Sequence, residues 1–471
     1  MDGLMAETNS SDGKVVLGVD VGGTKILAAL VRPSGKILAR ERRSTPRRGK
    51  GEATLGAIAD LIDKLLSKTG TRSREIRAIG LAVPGVVDSD AGRVVVTPNL
   101  NLSGVQMVEP LENRFGVGVS LGNDASVGTL GEKWLGAARY ADSAVGIFIG
   151  TGIGGGIIVD GRIVPGARGA AGEIGHVTMQ IDGPVCGCGA KGCFEALASR
   201  TAIERDLRAA MARGRKTSLT DEIGKGDRIR SGALKRALKA GDKLTTEVMT
   251  RAAEVYALAC LSVRHLLDPD VIVLGGGVIE ACAFFLMPII ERGMAGDPLE
   301  TPGSSGMPVA AALGDDSVIL GAVALALQEL GECPFESLAQ RTVAYPELRD
   351  AAPGTITVGD ETYDSDVIVR ANGKVKRRRD VLEKINGHKP GKPLPKRITP
   401  EELRKACKGD PQVLIVGTGF GRNVELDNDA ADFLRKRSIA FETLSTPDAV
   451  HTYNETRGRK AALIRVEPPA G

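Results

Sequence analysis

The stretch VVLGVDVGGTKILAAL, residues 15–30, sets the expected fold of the first part of the chain. Two apolar runs rich in β-branched residues flank a short glycine turn, a pattern typical of a β-hairpin. Amides in a tight glycine turn between strands can approach phosphate oxygens closely. The stretch therefore predicts a hairpin with a phosphate contact, although an ordinary hairpin turn explains this motif equally well by itself. The turn carries Asp20, Gly22, Gly23, Thr24 and Lys25.

Two later glycine-rich turns repeat this arrangement. Residues 150–156, GTGIGGG, follow the apolar run 144–149 and precede the run 157–159. Residues 275–277, GGG, follow the apolar run 271–274. Because the three turns are about 130 residues apart, the sequence predicts two structurally similar lobes that offer phosphate or nucleotide contacts to a shared cleft.

Four soft metal ligands lie close together in GEIGHVTMQIDGPVCGCGAKGCFE, residues 172–195. Zn²⁺ prefers four tetrahedral nitrogen and sulfur ligands, and a closed set without a water position is a structural site. The interleaved glycines suit a chain that wraps tightly around an ion. The alternative is three buried or disulfide-forming cysteines beside an unrelated histidine, but a CxC pair is hard to bridge to itself. The predicted zinc ligands are His176, Cys186, Cys188 and Cys193.

Composition is typical of an intracellular enzyme. The 471 residues are enough for about three domains. A net charge of +4, from 62 basic and 58 acidic residues, is too balanced for nucleic acid as the main partner. Seven cysteines, an odd number, suit a reducing compartment. Because residues 1–13 lack a secretory signal and no run of eighteen apolar residues follows, we expect a cytoplasmic protein, not bound to membranes, with a disordered start.

Six motifs in order resemble the ROK family of repressors, open reading frames and kinases. This family belongs to the sugar kinase, heat-shock protein 70 and actin superfamily. The resemblance implies an α/β, two-lobed fold over residues 14–330 that closes over sugar and ATP. Lobe 1 would comprise residues 14–138 plus a returning helix, 317–330, and lobe 2 residues 139–316. The motifs are DVGGTK at 20–25, GNDA at 122–125, GTGIGGG at 150–156, GEIGH at 172–176, CGCGAKGCFE at 186–195 and VIVLGGGV at 271–278.

The resemblance implies that Asp124 is the general base of a phosphoryl transfer. Such a reaction needs a base near the attacking hydroxyl, amides or positive charge around the γ-phosphate, and reactants held in line. Asp124 would orient the sugar 6-hydroxyl and accept its proton late. Asn123 and Asp124 are also favoured N-cap residues for a helix over residues 125–135, and both interpretations can hold.

The motif matches imply the remaining site residues. Asp20 would hold Mg²⁺ through water, and the third glycine turn would face the adenosine. If residues 173–176 form a helical turn, zinc would hold His176 by one nitrogen and orient the other towards the sugar, without acting as a Lewis acid. The expected ATP contacts are Asp20, Gly22, Gly23, Thr24, Lys25, Thr151, Gly152, Gly154, Gly155, Gly275, Gly276 and Gly277. The expected hexose contacts are Gly85, Asn99, Asn123, Asp124, Glu173, His176 and Glu195.

Alternatives remain at two of these places. Lys25 follows a turn and could simply be solvated instead of touching a phosphate. Glu195 could instead be a carboxylate favouring the start of a helix over FEALASRTAIERDLRAA. The family's tryptophan after PNL is replaced by Ser103-Gly104, which implies a less tightly closed sugar pocket. Only nineteen residues precede Asp20, too few for the helix-turn-helix module of the family's repressors, which favours a kinase.

The sequence therefore predicts an ATP-dependent hexose 6-phosphotransferase, most similar to glucokinase, with Mg²⁺ and structural zinc. The alternatives are an N-acetylhexosamine kinase, or a catalytically weak sugar sensor or scaffold that works through its C-terminal domain. Neither the sugar nor the donor, ATP or polyphosphate, follows from the motifs. The family implies a homo-oligomer, either a dimer or a tetramer.

A second, small α/β domain is expected over residues 355–471, after a linker at 331–354, because short strands alternate with helical stretches. Its motifs YDSDVIV, VLIVGTGFG and PDAVHTYNETRGR resemble a poorly characterised family that includes archaeal proteins and a mitochondrial complex I assembly factor. We expect an unknown protein partner for this domain. Residues 374–397 hold ten Lys and Arg against two acidic residues. A dock for an acidic partner or nucleic acid is possible there, but a solvated loop is favoured because stacking aromatics are missing.

Overall fold

The computed structural model describes residues 14–46, 49, 51–97, 100–222, 228–299, 306–335, 345–388, 394–395, 397–408, 411–420, 426, 428–437, 439–456 and 459–466. The chain divides into two compact units, the first over residues 1–300 and 305–336 and the second containing residues 337–471. Among the described helices, none combines the length and the apolar character needed to cross a membrane. The predicted disordered start, residues 1–13, lies outside the described residues.

The first lobe of unit 1 is a five-stranded sheet with helices on both faces. Its elements are β1 (Val15–Val21), β2 (Lys25–Val31), β3 (Ile37–Ser44), α1 (Gly51–Thr69), β4 (Ile76–Val83), β5 (Val86–Asp88), β6 (Arg93–Val96), α2 (Val108–Phe115), β7 (Gly118–Asn123) and α3 (Asp124–Leu135). The strand order is β3-β2-β1-β4-β7, with β1, β4 and β7 parallel. β1 and β2 form the predicted hairpin, in which Asp20 pairs with Leu27. β1 lies inside the sheet, and helices cover the sheet on both faces. Both sides of this strand are therefore buried, which explains why its residues are almost all apolar.

The second lobe contains another five-stranded sheet, in the order β10-β9-β8-β11-β12. Its elements are β8 (Ala144–Ile149), β9 (Ile153–Val159), β10 (Arg162–Ile163), α4 (Phe194–Ala198), α5 (Arg200–Ala212), α6 (Leu219–Glu222), α7 (Ser231–Lys239), α8 (Lys243–Leu267), β11 (Val271–Gly275), α9 (Gly277–Met294) and β12 (Met307–Ala310). The predicted helix over residues 194–210 is in fact two helices, α4 and α5. The break falls at Ser199, whose side chain caps α5 by accepting a hydrogen bond from the Ala202 amide.

The second glycine turn is shorter than its sequence indicated. β9 begins at Ile153, so Gly154, Gly155 and Gly156 lie within a strand and not within the turn. These glycines permit close packing. A Cβ on Gly154 would be 2.9 Å from Ala125 Cβ, and one on Gly156 would be 2.6 Å from the Ser126 Cα. The start of α3 therefore rests directly on the backbone of β9.

Helix α10 (Ser317–Glu329) packs on the first lobe through glycine contacts. A Cβ on Gly18 would lie 2.7 Å from the Ile319 carbonyl oxygen, and one on Gly80 would lie 1.8 Å from the Ala322 carbonyl oxygen. α10 also crosses α3, and one apolar cluster contains residues of both helices and both sheets. The predicted two-lobed α/β fold is confirmed, and α3 and α10 form the apolar core between its two sheets.

Unit 2 contains a three-stranded antiparallel sheet and a five-stranded mixed sheet, ordered β13-β14-β15 and β17-β16-β20-β18-β19. Its elements are β13 (Leu348–Ala352), β14 (Thr355–Val358), β15 (Glu361–Tyr363), β16 (Val367–Val369), β17 (Val375–Arg377), α11 (Arg378–Asn386), α12 (Pro400–Ala406), β18 (Val413–Gly417), α13 (Asn428–Lys436), β19 (Ala440–Leu444), α14 (Thr446–Glu455) and β20 (Lys460–Ile464). The separate small α/β domain is thus confirmed. The predicted linker, residues 331–354, includes β13, a largely exposed strand in which only Leu348 is buried.

The basic stretch of unit 2 is not a single solvated loop, because residues 375–386 form β17 and α11. Arg378 is fully buried in an ion-pair network. Its guanidinium donates to the buried carboxylates of Asp366, at 3.2 Å, and Glu402, and its Nη2 donates to the Pro395 carbonyl at 3.1 Å. One of the ten cations thus stabilises the core of this unit instead of facing a partner.

Candidate active site

Two carboxylates from the first lobe lie close enough to influence each other. Asp20 is near the end of β1, and Asp124 begins α3 directly after β7. Burial raises the pKa of Asp20 to about 7, with a further rise from the Asp124 charge and an opposing effect of Lys25. Burial also raises the pKa of Asp124, and Glu173 of the second lobe adds to the effect. Because like charges resist simultaneous ionisation, the pair holds a proton at a higher pH than isolated carboxylates would.

Asn123 fixes the position of Asp124. Its Oδ1 accepts from the Ser126 amide at 3.0 Å, the predicted N-cap, and its Nδ2 donates to the Gly85 carbonyl at 2.9 Å. Gly85 has a φ of +98°, and a Cβ there would lie 2.2 Å from the Val96 carbonyl oxygen, so only glycine fits. Asp124 accepts from the amide of the next residue at 2.8 Å. The helix start and the neighbouring loop therefore hold this carboxylate in place.

The four predicted metal ligands converge. The ligand atoms of His176, Cys186, Cys188 and Cys193 all lie within 4.8 Å of one another. His176 Nδ1 is 3.7 Å from Cys186 Sγ, and Cys188 Sγ is 3.7 Å from Cys193 Sγ. Two thiolates on a tetrahedral zinc, each about 2.3 Å from the ion, would be separated by about 3.8 Å. The cluster therefore fits a structural zinc.

Two further carboxylates, those of Glu173 and Glu195, lie next to residues of the metal-ligand cluster. Residues Ile174–His176 form a short 3-10 helix that leaves His176 Nε2 3.9 Å from the Glu173 carboxylate. Glu195 lies in the first turn of α4, with Oε1 3.7 Å from Cys186 Sγ and Oε2 accepting from the Ile153 amide at 2.8 Å. His176 thus presents Nδ1 to the cluster and Nε2 towards Glu173. Glu195 occupies a helix start and also connects the cluster to β9.

The first glycine turn is held from outside the hairpin. Gly22 donates to the Lys25 carbonyl at 2.9 Å, and Thr45 Oγ1 donates to the Gly22 carbonyl at 2.6 Å. Gly23 is exposed, has no positive φ, and a Cβ there would meet no atom within 4 Å. Neither backbone conformation nor packing requires glycine at position 23. The open backbone at this turn is suited to the close approach of a ligand.

The second turn, residues 150–152, is held by α5. The backbone amide of Arg200 donates to the Gly150 carbonyl at 3.0 Å. Nη2 of the Arg200 side chain donates to Thr151 Oγ1 at 2.7 Å. Thr201 Oγ1 donates to the Thr151 carbonyl at 2.7 Å. A Cβ on Gly152 would lie 2.3 Å from the Glu195 carboxylate. Arg200 and Thr201 were not predicted from the sequence.

The third turn places the N-terminus of α9 beside the end of β8. Gly275 ends β11, Gly276 has a φ of +84°, and Gly277 begins the helix. A Cβ on Gly276 would lie 2.6 Å from the Ile149 carbonyl oxygen. Helix N-termini at the carboxyl ends of parallel strands are sites where α/β proteins bind anionic groups.

The structure brings several of the predicted residues together. The Asp124 charge raises the pKa of Asp20, and Glu173 raises the pKa of Asp124. Glu195 contacts both the metal-ligand cluster and Ile153, the residue directly after the second turn. Asn99 lies outside the described residues. Gly154 and Gly155 are in β9, two and three positions beyond the turn, and lie against Ala125 and Gly172 respectively.

Two sheets joined by α3 and α10, with glycine turns and paired carboxylates at the ends of their strands, define the two-lobed fold of the sugar kinase, heat-shock protein 70 and actin superfamily. Residues 16–329 match the ROK family. The chain belongs to this family. Residues 348–464 match a family described as a protein of unknown function (DUF498/DUF598).

Relatives of the chain include kinases and repressors. Over 317 residues it is 32% identical to the glucokinase of Thermotoga maritima, covering 67% of this chain and 98% of that protein. Over 272 residues it is 28% identical to the xylose repressor of Caldicellulosiruptor bescii, covering 58% of this chain and 68% of the repressor. A ROK family glucokinase from Streptomyces griseus, solved in complex with glucose and AMPPNP, is 30% identical with a TM-score of 0.58, covering 67% of this chain and 99% of that one.

Proposed function

We propose that residues 14–330 catalyse the ATP-dependent transfer of a phosphoryl group to the 6-hydroxyl of a hexose, with glucose as the substrate. The observation that carries this proposal is the position of Asp124, whose pKa is raised by burial and by Glu173 beside the metal-ligand cluster. A raised pKa makes a carboxylate a stronger base towards a hydroxyl proton. The glucokinase relatives supply the substrate and the donor.

Asp124 would accept the proton of the sugar 6-hydroxyl as the new oxygen–phosphorus bond forms. Asn123 would hold that carboxylate against the start of α3 and keep the hydroxyl in line with the γ-phosphate. The amides of Gly22, Gly23 and Thr24 would contact the phosphates from one lobe, with the 150–152 turn opposite. When bound, Mg²⁺ would screen phosphate charge, and Asp20 would hold it through water.

The hexose hydroxyls would be paired by a dense set of polar groups, because each hydroxyl loses water on entry. Glu173, His176 and Glu195 would pair the hydroxyls from one side, and Gly85 and Asn123 from the other. Asn99, which the sequence also predicts as a hexose contact, lies outside the described residues. Zinc on His176 Nδ1 would fix the ring and leave Nε2 for a sugar hydroxyl. Lys25, Thr151, Gly154, Gly155 and the 275–277 turn complete the proposed nucleotide site.

Two alternative functions are compatible with the same fold. A sugar sensor that acts through unit 2 is favoured by the repressor relative and by the fusion to a second domain. The second alternative is an N-acetylhexosamine kinase. Whether the site accepts such a sugar depends on the shape of the pocket around the sugar 2-position, which side-chain packing determines. We further infer a cytoplasmic, homo-oligomeric enzyme whose second unit binds a protein partner.

A coupled assay with Mg-ATP tests the proposal. Glucose, mannose, N-acetylglucosamine and N-acetylmannosamine would be compared as acceptors, and polyphosphate would replace ATP in a parallel series. Glucose should give the highest kcat/KM. Turnover of an N-acetylhexosamine above that of glucose would support the second substrate, and sugar binding without any turnover would support the sensor.

A further inference from the structure

A basic groove of about 440 Å³ lies between α11 and α12 of unit 2. The basic stretch of the sequence contributes one of its cations, from α11, and the others come from α12 and the residues after it. The fold thus brings together charges that are about twenty positions apart in the chain. The groove is lined by Lys384, Ile385, Glu401, Arg404, Lys405 and Lys408.

Complementing the helix dipoles does not account for all of this charge. Lys384 belongs to the last turn of α11, and Arg404 and Lys405 belong to the last turn of α12, where cations are favourable. Each helix C-terminus carries about half a negative charge, and Glu401 is the acidic group among the lining residues. Four cations against one carboxylate and two helix ends leave an excess of about two positive charges.

The cations of the groove are available to a partner. Lys384, Lys405 and Lys408 are exposed, and within the described part of the chain none of them forms an ion pair. Arg404 pairs with Glu401 at 3.6 Å, and both side chains are more than half exposed. Because exposed pairs of this kind contribute little to stability, a carboxylate of a partner can replace Glu401.

Phe433 of α13 restricts the orientation of Arg404. The Arg404 guanidinium lies 5.7 Å from the centroid of the Phe433 ring, and the guanidinium of Arg437 lies 5.0 Å from it. A guanidinium held on a ring face keeps N–H groups at its edge for a carboxylate. One border of the groove therefore presents a positioned guanidinium beside three ammonium groups.

Size and composition favour a peptide over a nucleic acid. Single strands bind on aromatic platforms, and the described lining residues include no aromatic side chain. The volume suits a few side chains, and Ile385 offers apolar surface among the cations. Acidic side chains flanking an apolar one would match both the charge and the apolar surface of this groove.

We propose that this groove is the surface on which unit 2 docks an acidic peptide segment of a partner protein. The carboxylates of that segment pair with the four cations, and an apolar side chain contacts Ile385. The proposal rests on the protein-partner role inferred above for the second unit, and it does not rest on sugar phosphorylation.

Fluorescence anisotropy of the full-length protein with a labelled glutamate-rich peptide, carrying a central leucine, tests the groove. The wild type should bind this peptide, and the affinity should fall as added salt screens the charges. Lys405→Glu should weaken binding by about fivefold or more, because the reversal replaces an attraction with a repulsion. Replacing the leucine of the peptide with glutamine should also weaken binding, since the contact with Ile385 is lost.

Lys376→Glu is the matched control. This exposed lysine of β17 lies outside the groove, and its reversal changes the net charge of the unit equally. It should weaken binding by about twofold at most, and both variants should keep the wild-type unfolding midpoint because they alter exposed side chains.

Three results would overturn the proposal. The first is the absence of wild-type binding. The second is an equal effect of Lys405→Glu and Lys376→Glu, which would indicate the general charge of the unit instead of the groove. The third is tighter binding of a labelled oligothymidylate than of the peptide, which would indicate a nucleic acid. Sugar phosphorylation should be the same in both variants, so the kinase proposal and the docking proposal succeed or fail by separate measurements.

Discussion

The Glu195 carboxylate accepts a hydrogen bond from the Ile153 amide at 2.8 Å, across 42 positions of sequence. Its other oxygen lies 3.7 Å from Cys186 Sγ. One side chain therefore connects the metal-ligand cluster to the second glycine turn, and so connects the two proposed binding surfaces. Disturbance of the cluster should consequently affect nucleotide binding as well as sugar binding.

Gly152→Ala tests this connection. A Cβ at this position would lie 2.3 Å from the Glu195 carboxylate, so the side chain must move and release the Ile153 amide. We expect kcat/KM for the sugar to fall by about 10²-fold, the scale of a small misplacement of a positioning group. Gly118→Ala, in β7, is the control, because a Cβ there meets nothing within 4 Å. Equal activity of both variants would contradict the role of Glu195.

Asp124→Asn should abolish turnover and spare sugar affinity. The amide keeps the shape and the hydrogen bond from Ala125 but cannot accept the hydroxyl proton, a loss of about 10²–10⁴-fold in kcat. Steady-state kinetics together with equilibrium sugar binding measure both effects. Asp60→Asn, at an exposed ion pair with Arg43, should change neither. A variant at position 124 that keeps more than a tenth of the wild-type rate would remove Asp124 from the role of base.

The pKa of Asp20 predicts a pH-dependent stability. Because burial raises this pKa from 3.8 in the unfolded chain to about 7, the folded state binds the extra proton between these values. The stabilisation of the folded state by this extra proton on Asp20 is fully present below pH 3.8 and is lost as the pH rises through 7. In nucleotide-free protein, Asp20→Asn should therefore raise the unfolding midpoint most at pH 8 and flatten its pH profile. Parallel profiles for the variant and the wild type would show that Asp20 titrates normally.

Zinc removal should weaken sugar binding. Metal analysis would first establish the ion, and a chelator would then produce the metal-free protein. If zinc holds His176 as proposed, its removal should lower sugar affinity by about 10–100-fold, the usual effect of disturbing the groups around a metal site, and should also lower the unfolding midpoint. Cys188→Ser should reproduce both changes, and Cys333→Ser, at an exposed cysteine away from the cluster, should reproduce neither. Unchanged sugar affinity in demonstrably metal-free protein would contradict the link.

Gly23→Ala tests whether glycine is needed at this position for the approach of a ligand or for the fold. With no positive φ and no atom within 4 Å of the added Cβ, the change should leave the unfolding midpoint unchanged or slightly higher. If phosphate approaches this backbone, KM for ATP should rise by about tenfold or more, since a methyl group would displace it. The Gly118→Ala variant should leave KM for ATP unchanged. An unaltered KM for ATP in Gly23→Ala would exclude this turn as a phosphate contact.

Short-range patterns determined much of what could be predicted. The hairpin around Asp20, the N-cap at Asn123 and the four metal ligands all involve residues close in sequence, where periodicity, capping preference and ligand type indicate the local structure. The order of the motifs further indicated the two-lobed fold. A strand with little burial, such as β13, was missed because its residues carry no apolar alternation.

Tertiary contacts decided the rest. Gly154 appeared to belong to a turn because glycines are permissive in turns, yet it lies in a strand where α3 approaches across the lobes. Arg200 supports the second turn from 49 positions away, and no local signal marks such a partner. Likewise, the raised pKa of Asp20 arises from burial and from Asp124, and neither is visible in the DVGGTK motif itself. The sequence by itself determined which chemical groups are available and which local turns carry them. Only the folded chain decided their separation and exposure to water, because pKa values and close backbone contacts depend on groups brought together from distant parts of the chain.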